Sequence, residues 1–165
     1  MIIHPGFIPN DPYTEPYSRM VCALAMIGKK MKAAGLNLLL ETGAESPISL
    51  LRVIKDTKCD NMFVNLDTGN LIMYGFGNPV DALTTYGAYV RNMHFKDGMP
   101  PTEPGKLGPE VALGQGNVDF PRVVKLLKKI GYDRYAIIER EISGDQQIKD
   151  ILSAKNYIAS LWDAE

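Results

Sequence analysis

Two cysteines and two histidines are all that the 165 residues hold of these types. Cys22 falls within a helical pattern and Cys59 beside Asp60 in a loop, so both read as reduced thiols and a disulfide framework is excluded. Basic runs are missing as well. Lys and Arg total 18 against 19 Asp and Glu, a balance that offers no surface for a phosphate backbone and gives no reason to expect nucleic acid as a partner. No window approaches the roughly 18 apolar residues of a membrane helix. The opening Met1-Ile2-Ile3-His4-Pro5-Gly6 lacks a basic segment leading into an apolar stretch. The expectation is a soluble cytoplasmic protein with no membrane partner. With 45% hydrophobic residues the chain can bury a sizeable core, and a single domain over 1–165 is expected.

Four short segments each place a metal-ligating side chain at the end of an apolar run: Leu38-Leu39-Leu40-Glu41, Phe63-Val64-Asn65-Leu66-Asp67, Val90-Arg91-Asn92-Met93-His94 and Ala136-Ile137-Ile138-Glu139. An acid or imidazole capping successive strands is how a parallel barrel gathers ligands at its C-terminal face. Glu41 runs into Thr42-Gly43, Asp67 into Thr68-Gly69-Asn70 and His94 into Phe95-Lys96-Asp97-Gly98, which read as glycine turns after strand ends. One such acid would be an ordinary helix cap or loop residue. Four in series point to a divalent-metal site.

Strand and helix patterns alternate along the chain, the mark of parallel βα units. Strands are expected at 2–4, 36–41, 62–67, 89–94 and 135–139. A helix over 13–34 carries Val21, Leu24, Ala25, Ile27, Gly28 and Met31 on its inner face and stops at Gly35. Ser46-Pro47 and Asn78-Pro79 each pair a cap with a first-turn proline. Asp119-Phe120-Pro121 opens a helix to Ile130, and a last helix runs over 145–162. Residues 98–117 hold four prolines and five glycines, too long for an idle connection, and read as a lid or substrate loop. The fold class is therefore α/β, a partial TIM-type (β/α) barrel of about five units. An eight-stranded barrel takes about 250 residues, and five units leave strand edges open. Self-association to a homo-oligomer, or a missing amino-terminal half, is expected; an open sheet complete in itself is the alternative.

Taken in order, His4-Pro5-Gly6, Glu41-Thr42-Gly43, Leu66-Asp67-Thr68-Gly69-Asn70, His94-Phe95-Lys96-Asp97, Leu113-Gly114-Gln115-Gly116-Asn117-Val118-Asp119-Phe120 and Ile138-Glu139 resemble the xylose-isomerase-like barrel superfamily, and within it the sugar phosphate isomerase/epimerase group. The resemblance spans nearly the whole chain and corresponds to the fourth through eighth strands of that barrel. It implies one divalent ion held by Glu41, Asp67, His94 and Glu139. Three carboxylates and an imidazole suit Mn²⁺ first, with Mg²⁺, Co²⁺ or Zn²⁺ also accommodated.

The resemblance further implies a carbohydrate isomerase or epimerase acting on a small sugar or sugar phosphate, with Glu41 and Glu139 as the general acid/base pair. Such an ion would stabilise the enediolate formed as a proton leaves an α-hydroxy carbonyl. His4, Asn70, Lys96 and Asp97 are the candidate substrate contacts. Lys96 has an alternative as a surface partner of Asp97, and His4 as a structural histidine. Glu141 is a second candidate acid, while Arg140 points to the opposite strand face. The superfamily also includes DNA-repair endonucleases with a zinc cluster, but Asn70 stands where those carry a histidine, and His4 and His94 alone cannot complete the set. The competing reading is a truncated, non-catalytic half-barrel that binds metal or a partner. Tyr74-Gly75-Phe76-Gly77 lacks a full nucleotide-loop fingerprint and reads as a ligand-side turn, and Lys125, Lys128 and Lys129 as a solvated helix face.

Overall fold

The computed structural model of the chain describes residues 1–164. Its elements are β1 (Ile2–Ile3), α1 (Glu15–Ala33), β2 (Leu38–Glu41), α2 (Pro47–Thr57), β3 (Met62–Asp67), α3 (Thr68–Met73), α4 (Pro79–Tyr86), β4 (Val90–Phe95), β5 (Asp97–Gly98), β6 (Glu110–Val111), α5 (Phe120–Lys129), β7 (Ala136–Ile138) and α6 (Asp145–Asp163). Five strands form one parallel sheet in the order β1-β2-β3-β4-β7. Sequential parallel pairing with a helix in each crossover is the winding of a TIM-type barrel. Here the barrel is not closed: β1 and β7 are edges, and Ile2 and Ile137 are exposed along them.

Helices α2, α4 and α5 start where side-chain chemistry satisfies their free amides. Ser46 Oγ accepts from Ser49 N, Asn78 Oδ1 from Asp81 N and Asp119 Oδ1 from Arg122 N, each with a proline in the first turn. The apolar faces of these helices meet the outer face of the sheet. Leu38, Leu40, Val64, Leu66, Met93 and Phe95 pack there against Leu50, Val53, Leu71, Leu83, Phe120 and Leu127, all buried. Because strand residues alternate in facing, the same parity that buries these leaves Glu41, Asn65 and Asp67 on the opposite, concave side. At β4 the parity depends on a register shift between Val64 and Asn65, which sets Asn92 opposite Asn65 and His94 opposite Asp67. A one-residue slip reverses facing, so this irregularity decides on which side His94 lies.

Two segments differ from the sequence expectation. Thr68-Gly69-Asn70 is not a turn but the first half of α3, because Asp67 Oδ1 accepts from Asn70 N at 2.8 Å and caps a helix directly at the strand end. Gly69 is there for close approach: a Cβ would run into the backbone and side chain of Lys96. The loop over 98–117 also carries strand pairing that its sequence does not announce: β5 and β6 run antiparallel, with Gly98 against Glu110. Beyond the strands, Gly114 N, Gly116 N and Val118 N all donate to the Asp97 carboxylate.

Candidate metal centre

The ends of β2, β3 and β4 and the residue after β7 bring Glu41, Asp67, His94 and Glu139 together, with ligand atoms all within 4.8 Å of one another. His94 Nδ1 lies 2.6 Å from Glu139 Oε2, 3.2 Å from Glu41 Oε1 and 3.9 Å from Asp67 Oδ2. Asp67 is held on its backbone by Thr42, whose hydroxyl accepts from Asp67 N and donates to Asp67 O, both at 2.9 Å. Glu139 N donates to Phe95 O, so the ladder persists one residue past β7. Strand β4 likewise runs one residue past His94.

The bonding around these residues fits a cation. Asp67 Oδ2, His94 Nδ1 and Glu139 Oε2 are buried and have no aligned hydrogen-bond partner among the described residues. Buried polar atoms are seldom left so. Three from different elements, aimed at one point, leave a gap in bonding that a divalent ion with oxygen and imidazole preference would fill.

The electrostatics agree. Contact with Glu139 and then Glu41 holds the His94 ring up to about 10, against the effect of burial. For Glu139 the His94 contact lowers the carboxyl to about 2, with Lys96 assisting against burial. Burial acts to raise Glu41, but hydrogen bonding and attraction from His94 outweigh it and the net direction is down. Burial drives Asp67 the other way, up to about 8 in spite of Lys96. The carboxylates thus gather positive charge wherever the fold provides it, and Asp67, fully buried, is the one left short.

The remaining candidates are placed as follows. Lys96 is only 2% exposed, and its Nζ lies 3.0 Å from Glu141 Oε1, 3.2 Å from Glu139 Oε1 and 3.9 Å from Asp67 Oδ2. It is neither a surface lysine nor a partner of Asp97. Asp97 sits behind the site, accepting four backbone amides from Gly98, Gly114, Gly116 and Val118 at 2.9–3.1 Å, and is nearly fully buried. Asn70 Nδ2 donates to Thr42 O at 3.1 Å. His4 stands at the rim, its side chain over half exposed and Nε2 3.7 Å from Glu41 Oε1. Arg140 turns away, as its strand parity requires, to Glu110 and Asp150.

Two residues of the site went unread in the sequence. Asn65 Nδ2 lies 3.3 Å from His94 Nε2, and Asn92 Nδ2 donates to Asn65 Oδ1 at 2.7 Å. Each asparagine precedes a candidate ligand by two positions on the same strand, so the period-two rule alone places both on the ligand-bearing face.

The family model of the xylose isomerase-like TIM barrel matches residues 1–160. A xylose isomerase domain protein from Planctomyces limnophilus superposes with a TM-score of 0.90 at 38% identity, covering 97% of this chain and 58% of that one. Among curated proteins, an L-ribulose 3-epimerase of Mesorhizobium japonicum is 31% identical over 134 residues, 77% of this chain and 41% of its own. An inosose dehydratase of Lacticaseibacillus casei is 22% identical over 143 residues, 77% of this chain and 48% of its own. The chain spans about half the length of these curated relatives. Along nearly all of its length, from β1 through most of α6, it belongs to the xylose isomerase-like TIM barrel family.

Proposed function

We propose that this chain carries the metal-binding acid/base site of a sugar isomerase or epimerase that uses one divalent ion, Mn²⁺ before Mg²⁺, Co²⁺ or Zn²⁺. The observation that supports it most is the convergence of Asp67 Oδ2, His94 Nδ1 and Glu139 Oε2, all buried and without an aligned hydrogen bond among the described residues, beside Glu41. An ion bound there would polarise the carbonyl and neighbouring hydroxyl of an α-hydroxy ketone and make the C–H between them acidic. Glu41 and Glu139 come from β2 and from beyond β7, so they approach a substrate from different sides. One takes the proton and the other returns it. His4 at the rim is within reach of Glu41 and would donate to a substrate hydroxyl. We assign Lys96 to holding Glu139, and Asn70 and Asp97 to holding the backbone around the site.

The reading divides at the second step. Return of the proton to the opposite face or to the next carbon is epimerisation or isomerisation; loss of a hydroxyl is dehydration. The inosose dehydratase relative makes the latter the second reading, and both begin with the same deprotonation. The test is therefore exchange of the α-hydrogen of unphosphorylated and phosphorylated ketoses in D₂O by Mn²⁺-loaded protein, with product analysis for epimer, aldose or enone. Glu41→Gln and Glu139→Gln should each abolish exchange while leaving the circular dichroism spectrum intact. Retained exchange in both variants would sink the acid/base assignment. No exchange with any ketose would favour the non-catalytic half-barrel. The edges at β1 and β7 are where a second copy, or the remaining barrel units, would pair; light scattering decides between a homo-oligomer and a monomer.

A further inference from the structure

All three carboxylates approach His94 on one ring nitrogen, Nδ1. The other, Nε2, has a single hydrogen-bonding neighbour among the described residues, the side-chain amide of Asn65 at 3.3 Å. That amide is itself paired with Asn92 at 2.7 Å. Asn65 is fully buried and Asn92 nearly so, and the register shift at Val64/Asn65 is what lines up Asn92, Asn65 and His94 across β3 and β4. Two buried amides stacked behind one imidazole do nothing for the apolar core, which lies on the other face of the sheet.

From this geometry we propose that Asn65 and Asn92 are positioning residues that fix His94 as its Nε2–H tautomer, leaving the Nδ1 lone pair aimed at a bound cation. The inference rests on the metal-site reading above. A neutral imidazole that gives its Nδ1 lone pair to an ion carries its proton on Nε2, and that proton needs an acceptor. Metal-ligating histidines are commonly oriented by such a partner on the second nitrogen. A half-turn of the Asn65 amide, which exchanges the places of Oδ1 and Nδ2, brings Oδ1 to Nε2–H. Its Nδ2 then faces Asn92, whose amide turns likewise to offer Oδ1. With its oxygen toward Nε2–H the Asn65 amide holds that proton, and Asn92 holds the Asn65 amide in turn.

The chain has only His4 and His94, so its imidazole nitrogens are resolvable in long-range ¹H–¹⁵N spectra, and His4→Gln assigns them. The experiment titrates the full chain with Zn²⁺, a diamagnetic ion, and reads affinity by calorimetry and the His94 tautomer by NMR. Loaded wild type should show His94 protonated on Nε2 and metal-bonded through Nδ1. Asn65→Leu should weaken Zn²⁺ binding about 10- to 100-fold, as loss of such partners does. Asn92→Leu should weaken it less, and Asn65→Asp, which keeps an acceptor, should bind at least as well as wild type with the same tautomer. Wild-type affinity in Asn65→Leu, or His94 bonded through Nε2, would overturn the proposal. Should Asn65→Leu not fold, an Asn92→Leu protein with unchanged affinity and spectrum overturns it instead. No response of His94 to Zn²⁺ in wild type would overturn the metal reading itself.

Discussion

Lys96 Nζ lies 3.2 Å from Glu139 Oε1, the carboxylate oxygen other than the one set against His94. One glutamate therefore joins the imidazole on one side to a buried ammonium on the other. The ammonium also contacts Glu141 and Asp67, so a single cation compensates three carboxylates. Its burial acts to lower its own pKa, but Asp67, Glu141 and Glu139 outweigh that and the net direction is up.

Lys96→Met removes that cation and leaves Asp67 and Glu139 to His94, while Glu141, more than half exposed, is left to solvent. Stripping one member from a buried ionic cluster costs about 3–5 kcal/mol, so the variant's melting temperature should fall well below wild type in the presence of a chelator. Saturating Mn²⁺ should restore part of the difference, because a divalent ion supplies charge at the same point and stabilises the state that binds it. Thermal denaturation followed by circular dichroism, with and without metal, checks both halves. Equal melting temperatures in chelator would mean that Lys96 is not what holds these carboxylates together.

How much of this could be read from residues alone follows the physics of each segment. The five strands and the capped helices were legible because period-two runs such as 62–67 and Ser46-Pro47 or Asn78-Pro79 signals depend on neighbours in sequence. Glu41, Asp67, His94 and Glu139 were legible for the same reason, each standing at the end of an apolar run. Helix α3 was not, since Gly69 reads as a turn until the crossing of Lys96 beneath it is known. Lys96 reads as a substrate contact or as a surface partner of Asp97 because nothing in His94-Phe95-Lys96-Asp97 tells that Glu139 and Glu141, more than 40 positions on, would meet it. Long-range pairing of charge is set by the fold, and local sequence does not carry it.

Glu45 predicts a pH dependence of stability independent of the metal cluster. It is 2% exposed, its oxygens accept only from Gly43 N at 3.1 Å among the described residues, and burial raises it to about 8. Tyr86, whose buried hydroxyl has no partner among the described residues, is pushed up by burial and also by Glu45. A carboxyl raised in the folded state binds a proton there that the unfolded chain releases near its ordinary value of 4.5. Its contribution is therefore fully favourable below about 4.5 and declines as pH rises to about 8, by an amount on the order of a few kcal/mol. Glu45→Gln, which imitates the protonated acid, should flatten that decline and be the more stable protein at pH 8. Urea melts of both proteins at pH 5 and pH 8 measure it. A wild-type stability that does not fall over this interval more than the variant's would show that Glu45 is ionised in the fold.

Asp97 should separate a holding role from a binding one. Its two oxygens accept from Gly98, Gly114, Gly116 and Val118, and a Cβ at Gly116 would overlap the carboxylate, so the loop closes on this side chain as a plug closes on a socket. The last of these amides lies one residue before Asp119, the cap of α5, which ties loop order to the start of that helix. Asp97→Ala leaves the buried amides of Gly98 and Val118 and the partly buried ones of Gly114 and Gly116 without an acceptor, and at about 1–3 kcal/mol for each buried group the loss should be a few kcal/mol unless the loop lets go. Release of the loop limits the cost and has its own signature: the amides of Gly114, Gly116 and Val118 should exchange with D₂O much faster, while those of β3 and β4 keep their protection. Metal affinity should change less than in a His94→Ala protein, because no Asp97 oxygen is free to reach the cluster. A variant with slow exchange at all three amides and a large loss of metal binding would reverse the assignment and move Asp97 from the wall of the site into it.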